Sequence, residues 1–392
     1  MKKIWFAVLV LLVSGMLAGC QESDMQFFEV EVVDLSGNVV LTQSIGFDED
    51  GTVSIVDLID QEIGLDYSVS TYGTFVNGVS DIYPTEYGVT YNFYFSLLVN
   101  DEMSSVGLDQ IELADDLKIT FKETTMLDET DLEVDRLIQL FIDDYLSTYV
   151  SDQAFEHYVL AAIKQLELKG YLTDVLSDTL PASYLSMSRD TIANTFKMTV
   201  VEKAFEQNLD LTKTALSGFV STNPYDAVSL LTALSMTEGS SAQIDALVND
   251  LVTTTPAFMD ADYAGMILLA LAPYAESQGA AQTITDMEAY IQTMLTENGV
   301  ESWGSANSSS TATVILGLVA QGINPRDVLY TTNGIDLIEA LLTYEVDGAY
   351  KWQLADEQAD MAFSTPQVFS ALVAYKMYRD VYSNPAFNLF GF

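Results

Sequence analysis

Few residues in this chain could do chemistry, and they are thinly spread. The 392 residues contain one cysteine, Cys20, and one histidine, His157. A lone cysteine allows neither a disulfide framework nor a cysteine-ligated zinc site. A Ser-His-Asp or Cys-His arrangement would have to use His157, and no nucleophile motif lies near it. His157 falls early in a predicted helix and reads as a surface or boundary residue. No Gly-rich phosphate loop is present. The acidic stretch FDEDGT, residues 47–52, fails as a calcium loop. An EF-hand places its glycine at position six, and counting back from Gly51 puts Gly46 where the first carboxylate belongs. What remains are aromatic faces and carboxylates. Trp303 and Trp352 each close a Gly-x-x-x-Trp segment, GVESW and GAYKW. Indoles at matching positions of a repeat can stack on a flat or sugar-like ligand, or can serve packing between repeats. With Tyr350, Tyr263, Asp262 and Asn307 they form the candidate ligand-facing rim. Asp260 or Asp262 stands just before an apolar helix, where an N-cap belongs. The polar run SANSSST, residues 305–311, reads as a loop leading into another helix.

Cys20 has a different role. Lys2 and Lys3 precede an apolar run from Ile4 to Leu17, and Ala18-Gly19 follow. This is the pattern of a secretory signal. The run is shorter than the roughly 20 residues that span a bilayer, and no later stretch is long and apolar enough to do so. Leu17-Ala18-Gly19-Cys20 resembles the lipobox of bacterial lipoproteins. The resemblance implies cleavage after residue 19, acylation of Cys20 and a short tether over 20–25. The mature protein would then be anchored by lipid on the extracellular face of a bacterial cell membrane. Each buried CH₂ of such an anchor contributes about 0.8 kcal/mol.

Charge sets the classes of partner. Without Lys2 and Lys3, 13 basic residues face 57 acidic ones, a net charge of −44. Such a surface repels nucleic acid and anionic headgroups. A small molecule or a glycan is the expected ligand, no nucleic acid is expected, and the chain is expected to be a monomer. Its length suggests two or three domains, and an apolar fraction near half can fill a sizeable core.

Residues 26–124 are strand-like. FFEVEVVDL and NVVLTQSI flank the turn SGN. GTVSIVDLIDQEIG reads as a short helix, with Thr52 as N-cap and Val53, Val56, Ile59 and Ile63 at helical spacing. GTFVNGVSDI, YNFYFSLLVND and LKITFKE are further strands rich in aromatic and β-branched residues. The run from Tyr91 to Phe121 resembles the closing half of the transcobalamin-like C-terminal domain, a domain of unknown function in many bacterial surface proteins. The aromatic strand (Tyr91 to Phe95), the turn Asn100-Asp101, Gly107 and the pair Asp115-Asp116 carry the match. The family's tryptophan is a phenylalanine here, and its last glycine is an aspartate.

From residue 125 to 383 the period becomes helical, with eleven or twelve helices. STATVILGLVA and STPQVFSALVA lie 54 residues apart and agree at six of eleven positions. DYAGMILLALAPY and YDAVSLLTALSM look like earlier copies. Helix pairs at this period stack into a solenoid or close into a ring. The stretches DADYAGMILLALAPY, SSSTATVILGLVAQGINP and MAFSTPQVFSALVAY resemble the prenyltransferase and squalene-cyclase repeat. The two resemblances together imply an α+β multidomain protein, a small β-grasp-like N-terminal domain followed by an all-α (α/α)6-type toroid. Residues 384–392, with three phenylalanines and no helical period, are expected to pack back onto the toroid.

The toroid family includes enzymes. Prenyltransferases hold zinc with Asp, Cys and His, and this domain has no cysteine. Squalene-hopene-type cyclases protonate an alkene with the middle aspartate of Asp-x-Asp-Asp, which requires an acid held protonated in an apolar pocket. Asp260-Ala261-Asp262-Tyr263 lacks the last aspartate. The expectation is therefore a non-catalytic binding lipoprotein without a resident cofactor. Vitamin B12 carriers join the same two modules in the opposite order, which implies a corrinoid, cobalamin-like ligand in the toroid or the cleft between domains. The alternatives are a surface adhesion protein that binds a protein or glycan, and a terpene-cyclase-like enzyme.

Overall fold

The computed structural model describes residues 25–48, 53–254, 259–381, 383 and 385–392. Cys20 and its signal, Thr52 and most of the FDEDGT stretch lie outside the described residues. The chain divides into two compact units. One ends at Thr125 and omits Gly88–Asn92; those five residues cluster instead with the second unit, Met126–Phe392.

The first unit is built on a five-stranded sheet. Strands β1 (Met25–Val33) and β2 (Val39–Asp48) form an antiparallel hairpin, and α1 (Ile55–Ile63) follows. Next come β3 (Leu65–Ser70), β4 (Gly73–Val79), β5 (Phe93–Val99), β6 (Glu102–Met103) and β7 (Lys118–Thr125). The sheet order is β2-β1-β7-β5-β6, and β1 runs parallel to β7 at its centre. A parallel central pair, flanked by antiparallel strands and joined through a helix, is the β-grasp arrangement. Period-two alternation along β1 buries Phe28, Val30 and Val32 on one face. Helix α1 packs Ile55, Val56 and Ile59 into the same core.

Two details of this unit differ from the sequence reading, and a third is a strained turn. The N-cap of α1 is Ser54, whose hydroxyl accepts the Asp57 N–H at 3.1 Å, so the helix begins after the exposed Val53. The hairpin partner of β4 is β3, a strand not expected from sequence because most of its side chains face water. Asp116, the second residue of the Asp115-Asp116 pair, adopts a left-handed φ of +58° just before β7. That backbone costs a glycine nothing, and aspartate is among the few other residues that tolerate it.

The second unit contains thirteen α-helices among the described residues: α2 (Glu129–Asp144), α3 (Leu146–Tyr149), α4 (His157–Leu168), α5 (Ala182–Leu185), α6 (Ile192–Ala204), α7 (Asp210–Gly218), α8 (Pro224–Met236), α9 (Ser241–Thr253), α10 (Ala261–Leu271), α11 (Ala280–Thr293), α12 (Ser308–Ala320), α13 (Leu337–Leu342) and α14 (Ser364–Arg379). The excess over the expected number comes from α3 and α5, each only four residues long.

Six of these helices close a ring. Helix α4 packs on α6, α6 on α8, α8 on α10, α10 on α12, α12 on α14, and α14 returns to α4. The remaining long helices lie outside the ring, against its members. The sequence separates the two layers. An outer helix such as α11 buries one stripe, Ala280, Ile284, Met287 and Ile291. Inner α12 buries eleven residues around its whole circumference. Side chains from all six inner helices join one continuous core. Glycine sets the closest approach: a Cβ on Gly317 of α12 would stand 2.4 Å from the Gly265 carbonyl oxygen of α10.

Short hairpins lead into two inner helices. Strands β8 (Leu295–Thr296), β9 (Gly299–Ser302) and β10 (Ser305–Ala306) precede α12, and β11 (Glu345–Val346) and β12 (Ala349–Tyr350) precede α14. The Val300 N–H donates to Thr311 Oγ1 at 3.0 Å, and the Tyr350 N–H donates to Thr365 Oγ1 at the same distance. This shared bond is the physical content of the repeated Ser-Thr.

Two further segments are pinned by polar contacts. Asn92 Nδ2 donates to Asp380 Oδ1 at 2.7 Å, and Asp380 also pairs with Lys376 and Arg379. That bond ties Gly88–Asn92 to the helical unit. The tail packs back onto the ring. The Phe387 N–H donates to the Val319 carbonyl at 3.0 Å, and Gln165 Nε2 to the Leu389 carbonyl at 3.0 Å. Phe390 lies edge-on to Tyr158 and Phe196.

Candidate functional site

The N-terminal ends of three successive inner helices converge on one pocket of about 430 Å³. Asp262 comes from α10; Asn307, Ser309 and Ser310 from the start of α12; Asp360, Phe363 and Gln367 from the start of α14. Trp303 and Trp352, from the segments before α12 and α14, complete the lining.

Capping chemistry fixes the three helix starts. Asp260 accepts the Tyr263 N–H at 2.8 Å and is the cap of α10, which leaves Asp262 to point elsewhere. Asn307 caps α12 by accepting the Ser310 N–H at 2.9 Å. Its amide also donates to the Ser302 and Ser305 carbonyls, so this fully buried side chain is committed to structure. Asp360 holds the start of α14: Oδ1 accepts the Ala362 and Phe363 N–H groups, and Oδ2 accepts from the Ser364 N–H and hydroxyl.

Asp262 is the electrostatic centre. Its Oδ2 accepts three hydrogen bonds, from Trp303 Nε1 at 2.7 Å, Ser310 Oγ at 3.0 Å and Ser302 Oγ at 3.3 Å. Oδ1 accepts none among the described residues. Burial pushes the carboxyl above its ordinary range, the three donors oppose that, and the neighbouring charge of Asp260 reinforces it.

Trp303 sits in a strained turn. Trp303 and Gly304 join β9 to β10 with φ of +58° and +91°. A two-residue hairpin turn of this kind favours Asn-Gly or Asp-Gly. Asp347-Gly348, at +51° and +82° between β11 and β12, follows that preference at another hairpin of the ring. A bulky residue in the left-handed region costs on the order of 1–3 kcal/mol, and such strain concentrates at functional sites. The turn holds the Trp303 side chain 64% exposed above Asp262. Trp352 is 37% exposed and Phe363 68%.

Of the six rim residues expected from sequence, Trp303, Trp352, Asp262 and Asn307 come together here. Tyr263 and Tyr350 do not; they are 3% and 2% exposed and belong to the helical core. Tyr263 follows Asp262 by one residue, so it projects about 100° round the helix, toward Leu251 of α9 and Met287 of α11. Burial pushes its phenol up to about 12. Tyr350 is drawn inward by β12, and its hydroxyl has no hydrogen-bond partner. His157 is the first residue of α4, with Nδ1 2.7 Å from Glu156 Oε1 and only 13% of its side chain exposed. It is a half-sealed boundary residue, more buried than a surface position.

Several lining residues were not singled out from sequence. Asp360 carries the general signature of a cap before a helix, and Ser310 belongs to the repeated Ser-Thr. Phe363 and Gln367 carry no local signal. Gln367 is informative, because its Oε1 is buried without a hydrogen-bond partner. No Lys, Arg or His lines the pocket, and no group of three metal-ligating side chains occurs among the described residues. No helix among them is long and apolar enough to cross a membrane. The lining offers π faces and oxygen acceptors.

No family model matches the chain, and no curated protein matches it. Among solved structures, a Ruminococcus gnavus protein provisionally described as a metal binding protein is 14% identical over 26% of this chain and 99% of its own, with a TM-score of 0.21. A likeness of that size carries no argument about fold or ligand.

Proposed function

We propose that this protein is a non-catalytic binding lipoprotein, anchored through Cys20 on the outer face of a bacterial membrane, whose helical ring captures a small ligand between Trp303 and Trp352. One observation carries the reading. Two tryptophans, from the segments that lead into α12 and α14, line one pocket with the half-buried carboxylate of Asp262, which accepts the Trp303 indole N–H. Ligand sites are concavities of roughly 300–1,000 Å³ with apolar walls and few polar groups, and this pocket falls within that range.

The resemblance to transcobalamin-like and squalene-cyclase-like modules supports a carrier role and suggests corrinoids. The pocket volume supports a ligand of one or two rings; a whole corrin macrocycle is larger and would enter only by an edge. The cyclase reading is weaker. The place of the last aspartate is taken by Tyr263, which faces away from the pocket. The serine hydroxyls are engaged, Ser309 with Ser364 and Ser310 with Asp262.

A thermal-shift screen of residues 21–392 against corrinoids, glycans and isoprenoids tests the proposal. A ligand that binds only the folded state adds about 2.7 kcal/mol at a hundred times Kd. A saturable rise in Tm that disappears in the Trp303→Ala, Trp352→Ala double variant supports it. A rise that survives the double variant places binding elsewhere.

A further inference from the structure

The charge lining this pocket is one-sided. Oxygen acceptors are left over: Gln367 Oε1 is buried without a donor, and Asp262 Oδ1 accepts nothing among the described residues. Some of the donors are spent, while the Trp352 indole N–H and the Gln367 amide N–H find no acceptor among the described residues. The Trp303 indole N–H and the Ser310 hydroxyl point at Asp262, and the Asn307 amide points at backbone carbonyls. No charged donor lines the site, while two carboxylates do. The walls are indole and phenyl faces, whose quadrupoles attract cations. The whole chain carries −42, which draws cations toward it and repels anions.

We propose that the ligand is an organic cation bearing N–H donors, a primary ammonium or a guanidinium. Asp262 Oδ1 and Gln367 Oε1 accept its N–H groups, and its apolar body lies against Trp303, Trp352 and Phe363. This rests on the binding function proposed above and names the ligand class of that same site. Charge compensation explains why a carboxylate is kept in so buried a place. Burial disfavours the bare anion, and a bound cation removes that penalty. A buried acceptor without a donor is destabilising; the ligand supplies Gln367 Oε1 with the donor it lacks. A neutral sugar answers these features less well, since it brings no charge to compensate the half-buried carboxylate of Asp262.

The chain from Gln21 onward contains two tryptophans, Trp303 and Trp352, because the third is Trp5. Its indole fluorescence therefore reports this pocket alone. The test is a fluorescence titration with benzylamine and agmatine, set against the neutral probes benzyl alcohol and methyl glucoside. The expected result is a saturable change with an amine, at least tenfold weaker in Asp262→Asn, and no change with benzyl alcohol. Gln367→Leu keeps or raises the Tm, since it deletes an unpaired buried oxygen, yet weakens the amine; a purely structural role for Gln367 would not separate those readouts. Amine affinity also falls as acid protonates Asp262. A saturable response to methyl glucoside with none to amines overturns the cation and leaves the binding function standing. Equal responses to benzylamine and benzyl alcohol also overturn it. No response to any probe overturns the cation, and the corrinoid and glycan screen then decides the binding function.

Discussion

The two ends of the helical ring are finished in opposite ways. At the C-terminal ends of α6, α8 and α10, a hollow of about 340 Å³ is lined in part by the chain's own tail, through Asn388, Phe390, Gly391 and Phe392. The tail backbone is hydrogen-bonded to the ring, and Leu389 and Phe390 are 0% and 3% exposed. At the N-terminal ends of α10, α12 and α14, no segment among the described residues fills the pocket. Exposed aromatic faces and an unpaired acceptor remain there. Helix α10 reaches both ends, with Asp262 in one site and Leu269 in the other. The same architecture is thus packed against its own tail at one end and left with an unpaired acceptor and exposed aromatic faces at the other.

That contrast can be broken from either side. The largest effect belongs to the end that carries the tail: Phe390→Ala removes a buried ring and costs about 3–5 kcal/mol, measured by chemical denaturation, without changing which ligands bind. A loss under about 1 kcal/mol would mean that the tail is ornamental. Between the two ends, Gly317→Ala drives a methyl into the Gly265 carbonyl and forces α12 away from α10. The expected cost is about 2 kcal/mol after the helix-propensity gain of alanine. Because both helices frame the pocket, ligand binding weakens with it.

Substitutions at the open end should move stability little. The folded-state pKa of Asp262 is raised, so the folded protein holds that proton more tightly than the unfolded chain. Stability therefore falls as pH rises from about 4, where an unfolded aspartate ionises, through the higher folded value. Asp262→Asn removes that slope and leaves the protein slightly more stable at neutral pH, while ligand affinity drops. A neutral-pH loss of several kcal/mol would make Asp262 a structural residue. The smallest effect is expected of Trp303→Asn. Asparagine suits the left-handed turn, and relief of strain offsets the lost bond to Asp262, leaving a net change below about 1 kcal/mol.

The sequence made the layers legible where one physical cause acted along a whole element. Alternation in β1 and all-round apolarity in α12 each mark a face or a core helix. The Ser-Thr repeat was legible because Thr311 and Thr365 make the same bond to the preceding hairpin. What stayed hidden depends on a single residue's direction or on contacts far along the chain. Tyr263 and Tyr350 lie one and two residues from true lining positions, yet point into the core. The five hairpin strands around α12 and α14 are two to four residues long, too short for any period to register. Gly88–Asn92 join the helical unit through Asp380, 288 residues away. Gln367 is notable only because its neighbours leave it unpaired.

The central claim is that Trp303 and Trp352 serve one site. The most direct test is fluorine NMR of the chain from Gln21 labelled with 5-fluorotryptophan, which gives one resonance from each of its two indoles. With a ligand that raises the Tm, both resonances should shift along one saturation curve with a single Kd. If one moves and the other stays, or if they follow different curves, the two tryptophans do not form one site.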